Sequence, residues 1–153
     1  MKEIIANIWD IYKNYDAICC TTNYIVKGSG ELVMGAGIAK EFSTKYPWLA
    51  KNWGERVSRG WKSNCHPGVF VTLMKSRPHL VYFGTKWHYK DPSDIKLIES
   101  GLDTLHLIST ILDWKNILLP RPGCSNGGLN WEKDIKPLCE ESLDDRFTII
   151  SRI

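Results

Sequence analysis

The segment Leu119-Pro120-Arg121-Pro122-Gly123-Cys124-Ser125-Asn126-Gly127-Gly128-Leu129-Asn130-Trp131 decides what kind of fold and site this chain builds. An apolar run over residues 117–119 ends at a proline, and a series of small residues follows before an amphipathic pattern begins. A turn of this composition between a strand and a helix leaves backbone N–H groups free to face a phosphate. The segment therefore predicts a strand–loop–helix unit whose loop forms the rim of an anion-binding pocket.

A second glycine-rich turn, Val33-Met34-Gly35-Ala36-Gly37-Ile38-Ala39-Lys40, has the same design near the other end of the chain. Alone, this turn fits a purely structural strand-to-helix connection equally well. The chain has no Gly-x-x-x-x-Gly-Lys-Ser/Thr motif, and this turn has neither the third glycine nor the downstream acid of a dinucleotide-binding turn. Two such loops on one small domain together predict a ligand that carries two phosphates.

Predicted strands and helices alternate along the rest of the chain. The predicted strands are residues 3–8, 17–22, 69–74, 80–83, 117–119 and 147–151. The predicted helices are residues 38–46, a segment with Ser93 as its cap and apolar residues at helical spacing as far as Ile108, and residues 132–143. This alternation predicts an α/β sandwich around a mostly parallel or mixed sheet, with both loops at the carboxyl edge of the strands, where such sheets bind ligands.

The composition is that of an ordinary globular protein. The chain has 153 residues, 43% of them hydrophobic and 24% charged, with a net charge of +3. We expect a single domain over residues 1–153, without a membrane segment or a secretion signal, and a cytoplasmic location. Five cysteines occur without a Cys-x-x-Cys pair, so we expect reduced thiols and no metal site.

The two loops resemble those of the macro domain family, which binds ADP-ribose in a three-layer α/β/α sandwich with a central mixed sheet. The likeness runs from about Lys2 to Arg152 and includes Asn23, which precedes the first loop and is expected to position the distal ribose. The resemblance implies that Asn7 and Ile8 border the adenine. The ligand-binding residues implied by the resemblance are Asn7, Ile8, Asn23, Met34, Gly35, Ala36, Gly37, Ile38, Ala39, Pro120, Gly123, Cys124, Ser125, Asn126, Gly127, Gly128 and Leu129.

A third segment, Phe83-Gly84-Thr85-Lys86-Trp87-His88-Tyr89-Lys90-Asp91-Pro92-Ser93, resembles one branch of that family. The branch contains terminal ADP-ribose protein glycohydrolases and antitoxins that remove ADP-ribose from DNA. In this branch a lysine in a Thr-Lys pair is catalytic, and here it corresponds to Lys86. A neutral lysine can attack the anomeric C1 carbon or open the ribose, whereas a charged one can stabilise a leaving group.

Two positions depart from the family pattern. Asn7 stands where an aspartate often reads the adenine amine, although the asparagine carbonyl can accept the same hydrogen bond. Gly127 stands where the protein-directed glycohydrolases have an aspartate, and the Asn-Gly-Gly sequence at this point resembles the DNA-directed antitoxins. The resemblance therefore favours DNA as the carrier of the ADP-ribose.

The function expected from this resemblance is hydrolysis of an ADP-ribosyl linkage on DNA or protein, by a monomer that needs no cofactor. The expected partners are ADP-ribose and ADP-ribosylated DNA or protein. Two alternatives stay open: a phosphatase that acts on ADP-ribose 1″-phosphate, and a reader that binds ADP-ribose without turnover. The missing loop aspartate favours the reader.

Overall fold

The computed structural model describes residues 1–152, in which strands and helices alternate as the sequence predicts. The strands are β1 (Lys2–Ile5), β2 (Ala17–Thr22), β3 (Val69–Thr72), β4 (His79–Gly84), β5 (Ile117–Pro120) and β6 (Phe147–Ser151). The helices are α1 (Ile8–Ile11), α2 (Gly37–Lys45), α3 (Leu49–Ser63), α4 (Ile95–Ile111) and α5 (Lys136–Ser142). Within residues 1–152, none of the helices combines the length and apolar character needed to cross a bilayer.

The strands form one mixed sheet in the order β1-β6-β5-β2-β4-β3. All neighbouring strands run parallel except β3, which pairs antiparallel with β4 at one edge. The consecutive apolar residues of β2 are explained by this order, because β2 lies inside the sheet and is covered on both faces.

Two hydrophobic cores lie on opposite faces of the sheet. One contains side chains from α1, α2 and α3, and the other contains side chains from α4 and α5. The predicted three-layer α/β/α sandwich with a central mixed sheet is confirmed.

Helix α3 was not predicted from the sequence. Its buried residues recur every three or four positions, as in an amphipathic helix, but charged residues separate them. Trp53 lies on this buried face, fully enclosed, and its Nε1 donates to Thr72 Oγ1 at 3.0 Å. The helix ends at Asn64, whose φ of 54° lies in the left-handed region that asparagine tolerates.

Most predicted boundaries differ from the structure by one or two residues, and those of β1 and α4 differ for reasons that the structure shows. The first strand ends at Ile5 rather than residue 8, because the Asn7 side chain accepts from Trp9 N at 3.0 Å and caps α1. Helix α4 is capped by Asp94 rather than Ser93, since Asp94 Oδ1 accepts from Lys96 N at 2.9 Å.

The predicted helix 132–143 is divided in two. A π-helical turn covers Trp131–Ile135, and α5 follows it. Pro137 is at the start of α5 and has no N–H to continue an α-helical ladder back into the preceding turn.

Candidate functional site

Three segments meet at the carboxyl edge of the sheet. They follow β5, β2 and β4, which are adjacent and parallel, so their ends lie side by side. The segments enclose a cavity of about 980 Å³. A volume of this size accommodates a nucleotide-like ligand.

The first loop leads from β2 into α2, and Asn23 holds it in place. The Asn23 side chain is 5% exposed; its Nδ2 donates to Val33 O at 3.0 Å, and its Oδ1 accepts from Ile25 N at 2.8 Å. Within the described chain, no side chain caps the start of α2, so its first N–H groups stay available. These groups and the helix dipole favour an anion at this point of the cavity wall.

The second loop, residues 121–130, is a compact turn after β5. Leu129 N donates to Gly123 O at 2.9 Å, and Gly123 has a φ of 76°, which only glycine adopts easily. The loop is joined to the start of α4, because Ser93 N donates to Gly127 O at 3.0 Å. A Cβ at position 127 would collide with Ser93 Oγ and lie 2.6 Å from Gly123 O.

The two loops approach each other across the cavity. A Cβ at Gly37 would lie 2.8 Å from Asn126 Nδ2, so the asparagine side chain rests against the glycine. Gly37 also has a φ of 58°. A glycine at position 37 is therefore required both by the backbone conformation and by the neighbouring loop.

Lys86 is placed by its neighbour Thr85. Thr85 is buried; its N and its Oγ1 both donate to Thr22 O, at 2.9 and 3.2 Å, and its carbonyl accepts from Asp94 N at 2.8 Å. Lys86 itself is half-buried and lines the cavity, with Nζ 3.5 Å from Asn126 O of the second loop. This anchoring directs the lysine amine at the point where β4 and the second loop meet.

Two buried hydroxyl groups lining the cavity have no hydrogen-bond partner among residues 1–152. They are Thr22 Oγ1 and Ser93 Oγ, on side chains that are 4% and 8% exposed. A buried polar group without a partner is costly, and such groups mark places where a ligand or water completes the structure. Both residues lie beside Thr85. Thr85 donates to the carbonyl of Thr22, and the carbonyl of Thr85 accepts from Asp94, the residue after Ser93.

Most of the residues predicted to bind the ligand line this cavity. They are Ile8, Asn23, Gly35, Ala36, Gly37, Ile38, Ala39, Lys86, Pro120, Gly123, Cys124, Ser125, Asn126, Gly127 and Leu129. Asn7, Met34 and Gly128 do not line it. Asn7 caps α1 from an exposed position, Met34 is buried in the core, and Gly128 shapes the second loop with a φ of 73°.

Several lining residues were not predicted. They include Ala6, Thr21, Thr22, Val33, Glu41, Thr85, Tyr89, Ser93, Arg121, Asn130, Trp131, Ile150, Ser151 and Arg152. Glu41 follows Ile38 by three residues on α2, a spacing that places both on one helix face and that could have identified it. Its carboxylate accepts from Trp9 Nε1 at 3.0 Å and from Arg152.

Cys124 has the wrong chemistry for a nucleophile. Burial raises the pKa of its thiol to about 11, which leaves little thiolate at neutral pH.

Comparison with known proteins agrees with this geometry. The sequence is 34% identical over 101 residues to a protein named DNA ADP-ribosyl glycohydrolase from Mycobacterium tuberculosis, covering 65% of this chain and 29% of the relative. It is 30% identical over 113 residues to a protein of the same name from Thermus aquaticus, covering 73% of this chain and 31% of the relative. The chain thus spans less than a third of the length of these curated relatives. No family model matches the sequence.

A solved structure shows the same fold over almost the whole chain. The macrodomain of Mycobacterium tuberculosis DarG superposes with a TM-score of 0.74 at 25% identity, covering 97% of this chain and 95% of that one. The chain is therefore a macrodomain, and among macrodomains it resembles that of DarG.

Proposed function

We propose that this macrodomain binds ADP-ribose in its cavity and hydrolyses the linkage between ADP-ribose and DNA, with Lys86 as the catalytic residue. The observation that carries the proposal is the placement of Lys86 Nζ, which lies 3.5 Å from the second loop inside a cavity bordered by two glycine-rich loops. The shared name of the relatives, DNA ADP-ribosyl glycohydrolase, supports the choice of reaction and carrier.

The two loops would hold the diphosphate. The uncapped start of α2 offers N–H groups on one side, and the tight turn after Gly123 offers backbone groups on the other. Contact between Asn126 and Gly37 brings the loops close enough to bind adjacent phosphates.

The adenine would lie beside Ile8, which is buried at the cavity wall near Ile38 and Ile150. Asn7 Oδ1 accepts from Trp9 N at the start of α1, which uses one lone pair of this oxygen. A carbonyl oxygen has a second lone pair, but Asn7 does not line the cavity, so it would accept from the adenine amine only if the base extends past Ile8.

The distal ribose would lie near Asn23, Thr22 and Ser93. Asn23 uses one of its two N–H donors on Val33 O, which leaves the other for a ribose hydroxyl. The unpartnered hydroxyls of Thr22 and Ser93 would gain their missing hydrogen bonds from the same sugar.

The other ionisable groups that line the cavity are less suited to act on the sugar. Glu41 is paired with Arg152, and Arg121 lies over the Trp131 ring at 5.0 Å. Burial raises the pKa of Cys124. Lys86 is left as the basic group at the junction of β4 and the second loop.

In the reaction, the bond between the anomeric carbon and the base breaks, the carbon receives a hydroxyl from water, and the base receives the proton. Lys86 would either form a transient bond to the anomeric carbon or stabilise charge that develops during bond cleavage. Lys86→Arg separates these roles, because arginine keeps the charge but does not act as a nucleophile at neutral pH.

The test measures release of ADP-ribose from mono-ADP-ribosylated single-stranded DNA and from a glutamate-linked protein, with ADP-ribose affinity as a second readout. We expect release from DNA by the wild type, and at least a hundredfold loss in Lys86→Ala with affinity nearly unchanged. Lys96→Ala, which changes an exposed lysine on α4, is the matched control.

A reader of ADP-ribose is the second candidate, and the observation that favours it is the glycine at position 127. ADP-ribose binding without release from either substrate would support the reader. Release of inorganic phosphate from ADP-ribose 1″-phosphate alone would support a phosphatase. Either result would overturn the proposed hydrolysis.

A further inference from the structure

Trp87, the residue after Lys86, belongs to a partly exposed cluster of four aromatic rings that the proposed chemistry does not use. The cluster consists of Tyr24, Trp61, His66 and Trp87, and we refer to it as the aromatic platform. The Trp87 ring lies 4.7 Å from Tyr24, 5.3 Å from His66 and 6.1 Å from Trp61, measured between ring centroids. Trp61 and His66 are 4.4 Å apart.

The two indoles of the platform are exposed yet held in place. Trp61 is 48% exposed and Trp87 is 39% exposed. Trp61 Nε1 donates to Tyr24 O at 2.6 Å, which fixes its ring. Tyr24 is buried and packs so closely on Gly84 that a Cβ there would lie 2.5 Å from the tyrosine ring. Large aromatic rings fixed in this way lose little conformational entropy when a planar ligand stacks on them.

The platform adjoins the cavity in the sequence through Trp87, although its four residues do not line the cavity. Trp87 follows Lys86 directly, and Tyr89 lines the cavity while remaining 42% exposed. His88 stacks on Tyr89 at 4.3 Å, which forms a second aromatic pair two residues beyond Lys86. A ligand that projects from the cavity past Lys86 would meet Trp87, the next residue of the chain.

The charge of this region suits a polyanion. Lys62 and Lys90 are exposed and lie beside Trp61 and Tyr89 in the sequence. Neither they nor Lys86 form an ion pair within residues 1–152. Asp91 is an exposed carboxylate in the same segment, so the lysines outnumber the acids here.

We infer that the aromatic platform binds the unpaired bases that flank the modified nucleotide of a single-stranded nucleic acid. Bases stack on the indoles of Trp61 and Trp87, and the phosphates between them lie near Lys62 and Lys90. Stacking on aromatic rings tolerates any sequence, because every base presents a flat π surface. The inference rests on the proposed function for placing the modified nucleotide at Lys86, but binding of an unmodified strand does not need the reaction.

The test measures the affinity of an unmodified, fluorescently labelled single-stranded oligonucleotide by anisotropy. Trp61→Ala with Trp87→Ala should weaken binding at least tenfold, while the affinity for ADP-ribose stays within twofold. Trp87→Phe keeps a ring and should retain most of the binding, which separates stacking from a general structural role.

Trp48→Ala is the matched control, because Trp48 is 43% exposed but packs with Tyr46, away from the platform residues. Equal oligonucleotide affinity in the double variant and the wild type would overturn the inference. An equal loss in Trp48→Ala would do the same. No binding of the oligonucleotide, together with binding of a glutamate-linked ADP-ribosyl peptide that the double variant weakens, would assign the surface to protein substrates instead.

Failure of the proposed function gives a different pattern. If wild-type protein releases no ADP-ribose but binds the oligonucleotide through Trp61 and Trp87, the hydrolysis proposal fails and the platform stands. If the double variant still cleaves an ADP-ribosylated mononucleoside but loses activity on a long strand, both proposals stand.

The exposed Cys65 thiol provides an independent readout, since Cys65 adjoins His66. A bound oligonucleotide should protect this thiol from reaction with an alkylating reagent.

Discussion

The hydroxyl of Ser93 occupies the space that a side chain at position 127 would need. The two residues are also joined through the backbone, because Ser93 N donates to Gly127 O at 3.0 Å. A carboxylate at position 127 is thus incompatible with this arrangement of the second loop. The glycine is a structural requirement of this chain as well as a departure from the protein-directed glycohydrolases.

Gly127→Ala tests this relationship. The added methyl group would meet Ser93 Oγ and Gly123 O, so we expect a loss of about 1–3 kcal/mol in the free energy of unfolding. ADP-ribose affinity should fall at least tenfold, because the loop must shift. Urea unfolding and calorimetric titration measure the two effects.

Gly28→Ala is the control, since apart from Gly28 and its two chain neighbours no atom of the described chain lies within 4 Å of a Cβ at that position. An alanine at 127 that changed neither stability nor affinity would show that the loop is more adaptable than its contacts indicate.

Ser93→Ala and Thr22→Val test the unpartnered hydroxyls. Neither change removes a hydrogen bond within the described chain, so the free energy of unfolding without ligand should be unchanged or slightly higher. The affinity for ADP-ribose should fall several-fold in each variant, as measured by calorimetry. Unchanged affinity in both would exclude these hydroxyls as ligand contacts.

Thr85→Val provides the contrast. Its hydroxyl does donate to Thr22 O, so its loss should cost about 0.5–1.5 kcal/mol of stability in the absence of ligand.

Gly37→Ala tests the approach of the two loops. A non-glycine residue at a φ of 58° costs about 1–2 kcal/mol, and the methyl group would press on Asn126. We expect reduced thermal stability together with loss of ADP-ribose binding. Gly37→Ala with Asn126→Ala should recover part of the stability, whereas a double variant no better than the single would attribute the cost to the backbone alone.

Asp16→Asn tests a pH-dependent contribution to stability. Burial opposes ionisation of Asp16, but hydrogen bonds from Lys115 N, Arg77 and Asn116 N outweigh it and lower the pKa of the carboxyl. Because the pKa of this carboxyl is lower in the folded state, its ionised form stabilises the protein above the unfolded pKa of about 3.9. This stabilisation is lost as the pH falls from there through the folded-state pKa. Asp16→Asn should therefore lower the unfolding free energy at pH 7 and converge with the wild type in acid.

Asp113→Asn is the control for this experiment. Asp113 pairs with Lys115 at 2.8 Å, but both side chains are highly exposed, so the variant should behave almost like the wild type. A constant difference between Asp16→Asn and the wild type from pH 7 to acid would contradict the assignment to ionisation.

The fold and the two loops could be predicted because their signals are local. The continuous apolar run of β2 predicts a buried strand, and small residues before a helix predict a glycine-rich turn. The position of Lys86 came from its likeness to a family motif, and the structure places it in the same cavity as the two loops.

Other features depend on contacts between distant segments. The sequence around Asn7 does not reveal that its side chain caps α1, and the glycines that flank Met34 do not reveal that its side chain enters the core. The role of Ser93 was misjudged because Asp94 is an equally good cap one residue later, which leaves the serine hydroxyl for the cavity.

The strand order has a consequence for the moment at which binding first becomes possible. Strand β5 lies between β2 and β6, and the second loop follows it in the chain. A nascent chain that has emerged only as far as α4 therefore contains Lys86 and the first loop but lacks the second loop. On the proposed function, ligand affinity would therefore arise only after β5 and the second loop have been synthesised and the sheet has assembled. Added ligand that binds only the folded state would stabilise marginal variants, and the gain would grow with the logarithm of the ligand concentration.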